Sequence, residues 1–202
     1  MFSKNARFSK HVRELLSELS PKRLSNGFTR QAAVLMPFFE QNDEVHLLLT
    51  RRTDEVETHK GQVSFPGGMR EAGETLERTA IRETFEEIGI AEDSIEVLGR
   101  FHDYISVTGV RVTPFAAMLR RPFTVVPQAH EVAEILRVPL SLFLNRERMH
   151  IEKDFKIEGR YAGDYSWFYG QHRIWGLTAL IIHDFFRHDS FEELPKVKRD
   201  ES

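Results

Sequence analysis

Residues Gly68 to Ile90 read GMREAGETLERTAIRETFEEIGI. Leu76, Ala80, Ile81, Thr84, Phe85 and Ile88 recur at helical spacing, which predicts an amphipathic helix. Thr75 is a good N-cap residue, and Gly89 suits the left-handed stop that ends many helices. Glu83, Glu86 and Glu87 fall on one arc about 100° wide, at about 100° per residue. Like charges at this spacing destabilise a helix, and carboxylates near its C-terminus oppose its dipole. A hard divalent cation offsets both effects, because carboxylate oxygens suit Mg²⁺ or Mn²⁺. An ordinary solvated face gives no reason for this concentration of charge.

Composition sets the frame around this stretch. A chain of 202 residues holds one sizeable domain with additions. Hydrophobic residues make up 41% and charged residues 29%, as in soluble globular proteins. The net charge of −3 gives no general attraction to nucleic acid or to an anionic membrane. The absence of cysteine excludes disulfides, thiolate zinc sites and cysteine nucleophiles, and fits a reducing, cytoplasmic compartment. No apolar run reaches membrane-spanning length. Glu14 and Glu18 argue against a mitochondrial transit peptide.

Before the carboxylate stretch, Phe8, Val12, Leu15, Leu16 and Leu19 predict a helix covering the domain, stopped near Pro21. The run from Ala32 to Phe39 reads as a buried strand, paired through a turn at Gln41–Asp43 with Val45–Arg51. A polar loop is expected over Thr53–Lys60, and a short strand over Gln62–Phe65. After the helix, strands are expected over Ile95–Tyr104, Val110–Leu119, Val125–Val138, Met149–Ile157 and Ser166–Trp175. Helices are expected over Leu140–Leu144 and Gly176–Phe186. The division is an N-terminal helix and loop (1–30), one domain (31–190) and a charged tail (191–202). Mixed strands with helices on the faces give an α/β sandwich.

The spacing in Gly68–Ile90 resembles the Nudix box, the signature of Nudix pyrophosphohydrolases. That pattern is Gly, five residues, Glu, seven residues, Arg-Glu, an apolar residue, any residue, Glu-Glu, any residue, Gly, apolar. Gly68, Glu74, Arg82, Glu83, Glu86, Glu87, Gly89 and Ile90 meet it, and Thr84 stands where an aliphatic residue is usual. The resemblance implies an α/β/α sandwich with a mixed central sheet. It implies water attack on a diphosphate joined to a nucleoside, with Mg²⁺ or Mn²⁺ neutralising the phosphates and activating water. By the same resemblance Glu83 and Glu87 are the core metal ligands, with Glu86 alongside, and Arg82 pairs with Glu74. The resemblance further implies a base, either one of these glutamates or a carboxylate outside the box, which is usual in the family. Glu131 is the favoured candidate, ahead of Glu134 and Asp103.

Leu48-Leu49-Thr50, Arg52, His59, Gly61-Gln62-Val63 and Phe65-Pro66-Gly67-Gly68 resemble the coenzyme A pyrophosphatase signature. Ile174-Trp175-Gly176 with Thr178-Ala179 extends that likeness, which spans about residues 32 to 186. It implies hydrolysis of coenzyme A or acyl-coenzyme A to 3′,5′-ADP and a 4′-phosphopantetheine portion. Arg52, His59, Lys60, Gly67, Gly68 and Arg70 then contact substrate. Side chains alternate along a strand, so only one of Arg51 and Arg52 faces the cleft. Arg52 matches the signature. Trp167, Phe168, Tyr169 and Trp175 suit packing better than adenine stacking. Thr53 and Asp54 depart from the signature, and Glu57 stands where it carries Arg. That carboxylate keeps open another nucleoside diphosphate derivative, such as ADP-ribose or a dinucleotide. A non-catalytic ligand-binding module would tend to lose the box glutamates, all of which are present. Nudix proteins often pair, which keeps a homodimer open.

Overall fold

The computed structural model describes residues 4–24, 30–53, 61–152, 156–157, 160–161, 165–188 and 191. Helix α1 (Lys4–Glu18) leads into strands β1 (Gln31–Gln41), β2 (Glu44–Arg52), β3 (Val63–Ser64) and β4 (Gly67–Met69). Helix α2 (Leu76–Ile88) is followed by β5 (Ile95–Arg100), β6 (Tyr104–Ile105), β7 (Arg111–Leu119), β8 (Val132–Pro139) and the short α3 (Leu140–Leu144). The chain continues through β9 (His150–Ile151), β10 (Lys156–Ile157), β11 (Arg160–Tyr161), β12 (Tyr165–Tyr169), β13 (His172–Ile174) and α4 (Gly176–Phe186).

The central path of the main sheet is β3-β2-β1-β7-β5, with β4 paired to β1, β6 to β7 and β8 to β2. The pair β1/β7 is parallel and the others are antiparallel, so the sheet is mixed. β1 lies near the middle, which explains its nearly uninterrupted apolar sequence: both of its faces are covered. Ala33, Leu35 and Phe39 face α2, whereas Met36 and Phe38 face α1 and α4. The expected α/β sandwich with a mixed sheet is the observed fold. Phe8, Val12 and Leu16 seat α1 in the larger core. Burial of side chains this size contributes about 1.5–3 kcal/mol each.

Two features of α2 differ from its apolar periodicity. Phe85 is 56% exposed, whereas Glu87 is buried. The buried arc also holds Thr79, Ala80, Ile81, Thr84 and Ile88. Glu87 projects within about 20° of Ala80, and Phe85 lies about 100° beyond Thr84. Geometry therefore draws a carboxylate into the interface and leaves a phenyl ring outside it.

The strand expected from Val125 begins only at Val132. The segment before it serves the helix terminus instead. The Val126 N–H donates to the Ile88 carbonyl at 2.8 Å and the Gln128 N–H to the Glu87 carbonyl at 2.8 Å. The Gly89 N–H donates to Phe85. Carbonyls left without intrahelical partners are thus satisfied. In β8 a bulge sets Val132 opposite Arg52 and Glu134 opposite Arg51, leaving Ala133 as the extra residue. The strand expected over Ile95–Tyr104 also divides, into β5 and β6. Of the strand expected over Met149–Ile157, the described residues form the two-residue pieces β9 and β10.

Candidate active site

Strand β4 brings the segment before the helix against the helix itself. Thr75 caps α2 by accepting from the Arg78 N–H at 3.2 Å. The Gly67 N–H donates to Glu87 Oε2 at 3.1 Å. A Cβ at Gly67 would collide with the Ala33 carbonyl and the Val34 backbone, and one at Gly68 with the Glu83 carboxylate. Glycine at 68 is thus what leaves Glu83 its place. Gly68→Ala is expected to lower activity at least about a hundredfold while the protein still folds. Turnover and thermal melting measured together test this.

Arg82 is the hub of the cluster. Its Nε donates to Glu74 Oε1 at 3.0 Å and its Nη2 to Glu74 Oε2 at 3.2 Å. Nη2 also donates to the Met69 carbonyl at 3.1 Å, and Nη1 to Glu86 at 2.8 Å. Glu83 Oε1 lies 2.9 Å from Nη1. Thr79, a residue not singled out in the sequence, donates its hydroxyl to Glu74 at 2.7 Å. The Arg82 bond holds the Glu74 carboxyl down to about 2, against the opposing effect of burial. Arg82 is itself raised, chiefly by Glu74.

Glu83 and Glu87 have the opposite character. Burial raises Glu83 above the usual carboxylate range, against the pull of Arg82. Burial pushes Glu87 up to about 7, opposed by the Gly67 N–H and Arg52, with Glu83 and Glu131 adding repulsion. Arg52 Nη1 lies 3.9 Å from Glu87 Oε1. Arg51 turns to the other face, where its Nε is 3.6 Å from Glu134. Glu134 also meets His172 at 3.2 Å, so it belongs to a separate ion cluster. Glu131 acts electrostatically on both Glu83 and Glu87.

Asp103 accepts from Thr113 at 2.6 Å, from Arg100 at 2.5 Å and from the Leu24 N–H at 3.0 Å. These bonds outweigh its burial and lower its pKa. It ties the N-terminal segment to β7. Arg70 is engaged on its own loop, donating to the Glu74 carbonyl at 2.5 Å and to Gln31 at 3.2 Å. Glu86 is half exposed and directed to Arg82. Trp167 is buried in the core against Phe143. His59, Lys60, Glu57 and the loop expected after Thr53 lie outside the described residues.

The donor chemistry fits a hard divalent cation. Two carboxylates, the partly buried Glu83 and the buried Glu87, are destabilised as anions, and Glu131 adds a third charge in range. Among the described residues, no three His, Asp or Glu side chains already converge tightly enough to cage an ion. No helix among those residues is long and apolar enough to cross a membrane.

The mixed sheet thus carries on one face a helix whose Glu83 and Glu87 lie beside β4. The NUDIX domain model matches residues 29–153, and the chain belongs to the Nudix hydrolase family. It is 40% identical to a protein named uncharacterized Nudix hydrolase NudL from Photorhabdus laumondii, over 81% of this chain and 86% of that one. It is 37% identical to the NudL of Pectobacterium atrosepticum, over 76% of this chain and 80% of that one. A crystal structure of a MutT/nudix family protein from Enterococcus faecalis shares the fold. Its TM-score is 0.54 and its identity 15%, covering 98% of this chain and 79% of that one.

Proposed function

We propose that the protein hydrolyses the diphosphate of coenzyme A or acyl-coenzyme A with Mg²⁺ or Mn²⁺. The observation that carries this reading is how the signature segment meets the box. Arg52 and Gly67, both in the coenzyme A-type pattern, contact the same carboxylate, Glu87. Glu83 and Glu87 would hold the metal, with Glu86 alongside. When bound, the ion neutralises diphosphate oxygens and activates water. Arg52 donates to the diphosphate, and its planar fork suits phosphate oxygens. Glu131 accepts the proton of the attacking water. One P–O bond forms to water and the bridging P–O bond breaks, giving 3′,5′-ADP and (acyl) 4′-phosphopantetheine. Arg82 keeps Glu74, Glu83 and Glu86 in register. The protein acts in the cytoplasm in this reading, which the lack of cysteine supports.

Glu57, where the signature has Arg, favours a second reading, in which the substrate is another nucleoside diphosphate derivative. Incubation with Mg²⁺ and a panel of coenzyme A, ADP-ribose, NADH and diadenosine polyphosphates separates the two. Coenzyme A is expected to give the highest kcat/KM. Equal or faster cleavage of another member sinks the coenzyme A assignment.

A further inference from the structure

We propose that Thr53 is a positioning residue that sets Glu131 against the carboxylate helix. This rests on the reading of Glu131 as the proton acceptor. Thr53 is buried at the end of β2, directly after Arg52. Its hydroxyl donates to the His130 carbonyl at 2.8 Å, and its N–H donates to the Glu131 carbonyl at 3.0 Å. Both carbonyls flanking the Glu131 backbone N–Cα–C unit are thereby fixed by one residue. The Glu131 N–H donates to the Gln128 carbonyl at 2.9 Å, and the Gln128 N–H to the Glu87 carbonyl at 2.8 Å. The loop is therefore held from both sides, by the strand bearing Arg52 and by the helix bearing Glu87.

Among the described residues, the Glu131 side chain has no comparable tether. Its side chain is 43% exposed, with His130 Nε2 3.7 Å away as its ion-pair neighbour. An exposed glutamate selects its working position through its backbone, because its rotamers interchange freely in solvent. Arg52 and Glu131 thus share one mount. The backbone positions that carry the cation meeting the diphosphate and the carboxylate receiving a proton are tied together through Thr53.

The hydroxyl carries half of this mount and can be removed without changing side-chain shape. Thr53→Val keeps the β-branched volume and the backbone N–H bond. Thr53→Ser keeps the hydroxyl. The assay is turnover of whichever panel substrate the wild type cleaves best, in Mg²⁺, in wild-type and Glu131→Gln backgrounds. Thr53→Val is expected to lower kcat between about tenfold and a hundredfold, with KM and the Mg²⁺ midpoint within about twofold. Thr53→Ser is expected to restore kcat to within about twofold of wild type. In the Glu131→Gln background, Thr53→Val is expected to cause no further loss, since its route to the reaction is already cut. Equal fractional losses in both backgrounds, or unchanged kcat in Thr53→Val alone, overturn the positioning role while leaving Glu131 in place. A Glu131→Gln enzyme with wild-type kcat overturns the Glu131 assignment and the positioning role with it.

Discussion

Glu87→Gln is expected to lower kcat by about a thousandfold or more with the fold intact. The metal-free variant should melt no lower than the wild type. Loss of several kcal/mol of charge stabilisation at the diphosphate corresponds to a rate effect of this size. The unusual part is the pairing of lost activity with retained stability. Among the described residues, the buried Glu87 carboxylate is compensated by the Gly67 N–H and an Arg52 guanidinium at 3.9 Å. An amide of the same shape still accepts from Gly67 and removes the buried charge, so the fold loses little. The same exchange at Glu83 should also cut turnover by orders of magnitude. Turnover in Mg²⁺ and melting in chelator decide the matter. Activity within tenfold of wild type in both variants would remove Glu83 and Glu87 from the metal site.

Arg82→Ala is expected to be the opposite kind of lesion, costing stability first. It strips Glu74 of both its side-chain bonds to arginine and leaves Glu83 and Glu86 unpaired. Glu74 is 10% exposed and Glu83 is 18% exposed, so water replaces the lost guanidinium poorly. Removing one partner of a largely buried pair costs about 3 kcal/mol. For a chain of this size that lowers Tm by roughly 6–12 °C. The sign of the pH dependence follows from the depressed Glu74 carboxyl. Its contribution is complete above the ordinary value of 4.5 and is lost as pH falls toward about 2. Arg82→Ala should therefore flatten the acid limb of the stability profile. Arg82→Lys should recover only part of the loss, because one ammonium cannot reproduce the two-point contact with Glu74 together with the Met69 carbonyl. A melting temperature within 2 °C of wild type would show that Arg82 is not the strut it resembles.

Much of this fold is written in local patterns. The run around Ala32–Phe39 announces a strand covered on both faces, and Thr75 and Gly89 bracket α2 within a residue of its observed ends. The sequence also separated Arg52 from Arg51, because strand alternation alone sends one toward Glu87 and the other toward Glu134. What it hid is tertiary. Val125 and Val126 have the composition of a strand, yet the segment's hydrogen bonds go to the helix terminus. Glu131 is preferred over Glu134 in the sequence, but both are glutamates three residues apart on one segment. They are distinguished by partners on β2 and β13 that no local rule reveals. Asp103 resembles a spare carboxylate until Leu24, Arg100 and Thr113 are seen to consume it. Thr53 carries no chemical signal of its own, and only the loop it binds gives it meaning.

The single extra residue in β8 settles the parity of everything before it. Downstream of Ala133, Glu134, Leu136 and Val138 lie on the α1 and α4 side of the sheet. Upstream, Val132 lies with Ile88 and Ile90 on the α2 side. Strand alternation without the insertion would turn Val132 to the far side. The chain entering β8 would then approach from the wrong layer, with Glu131 carried away from Glu83 and Glu87. One residue of length, with no chemistry in its methyl side chain, thus decides which acidic group the site receives.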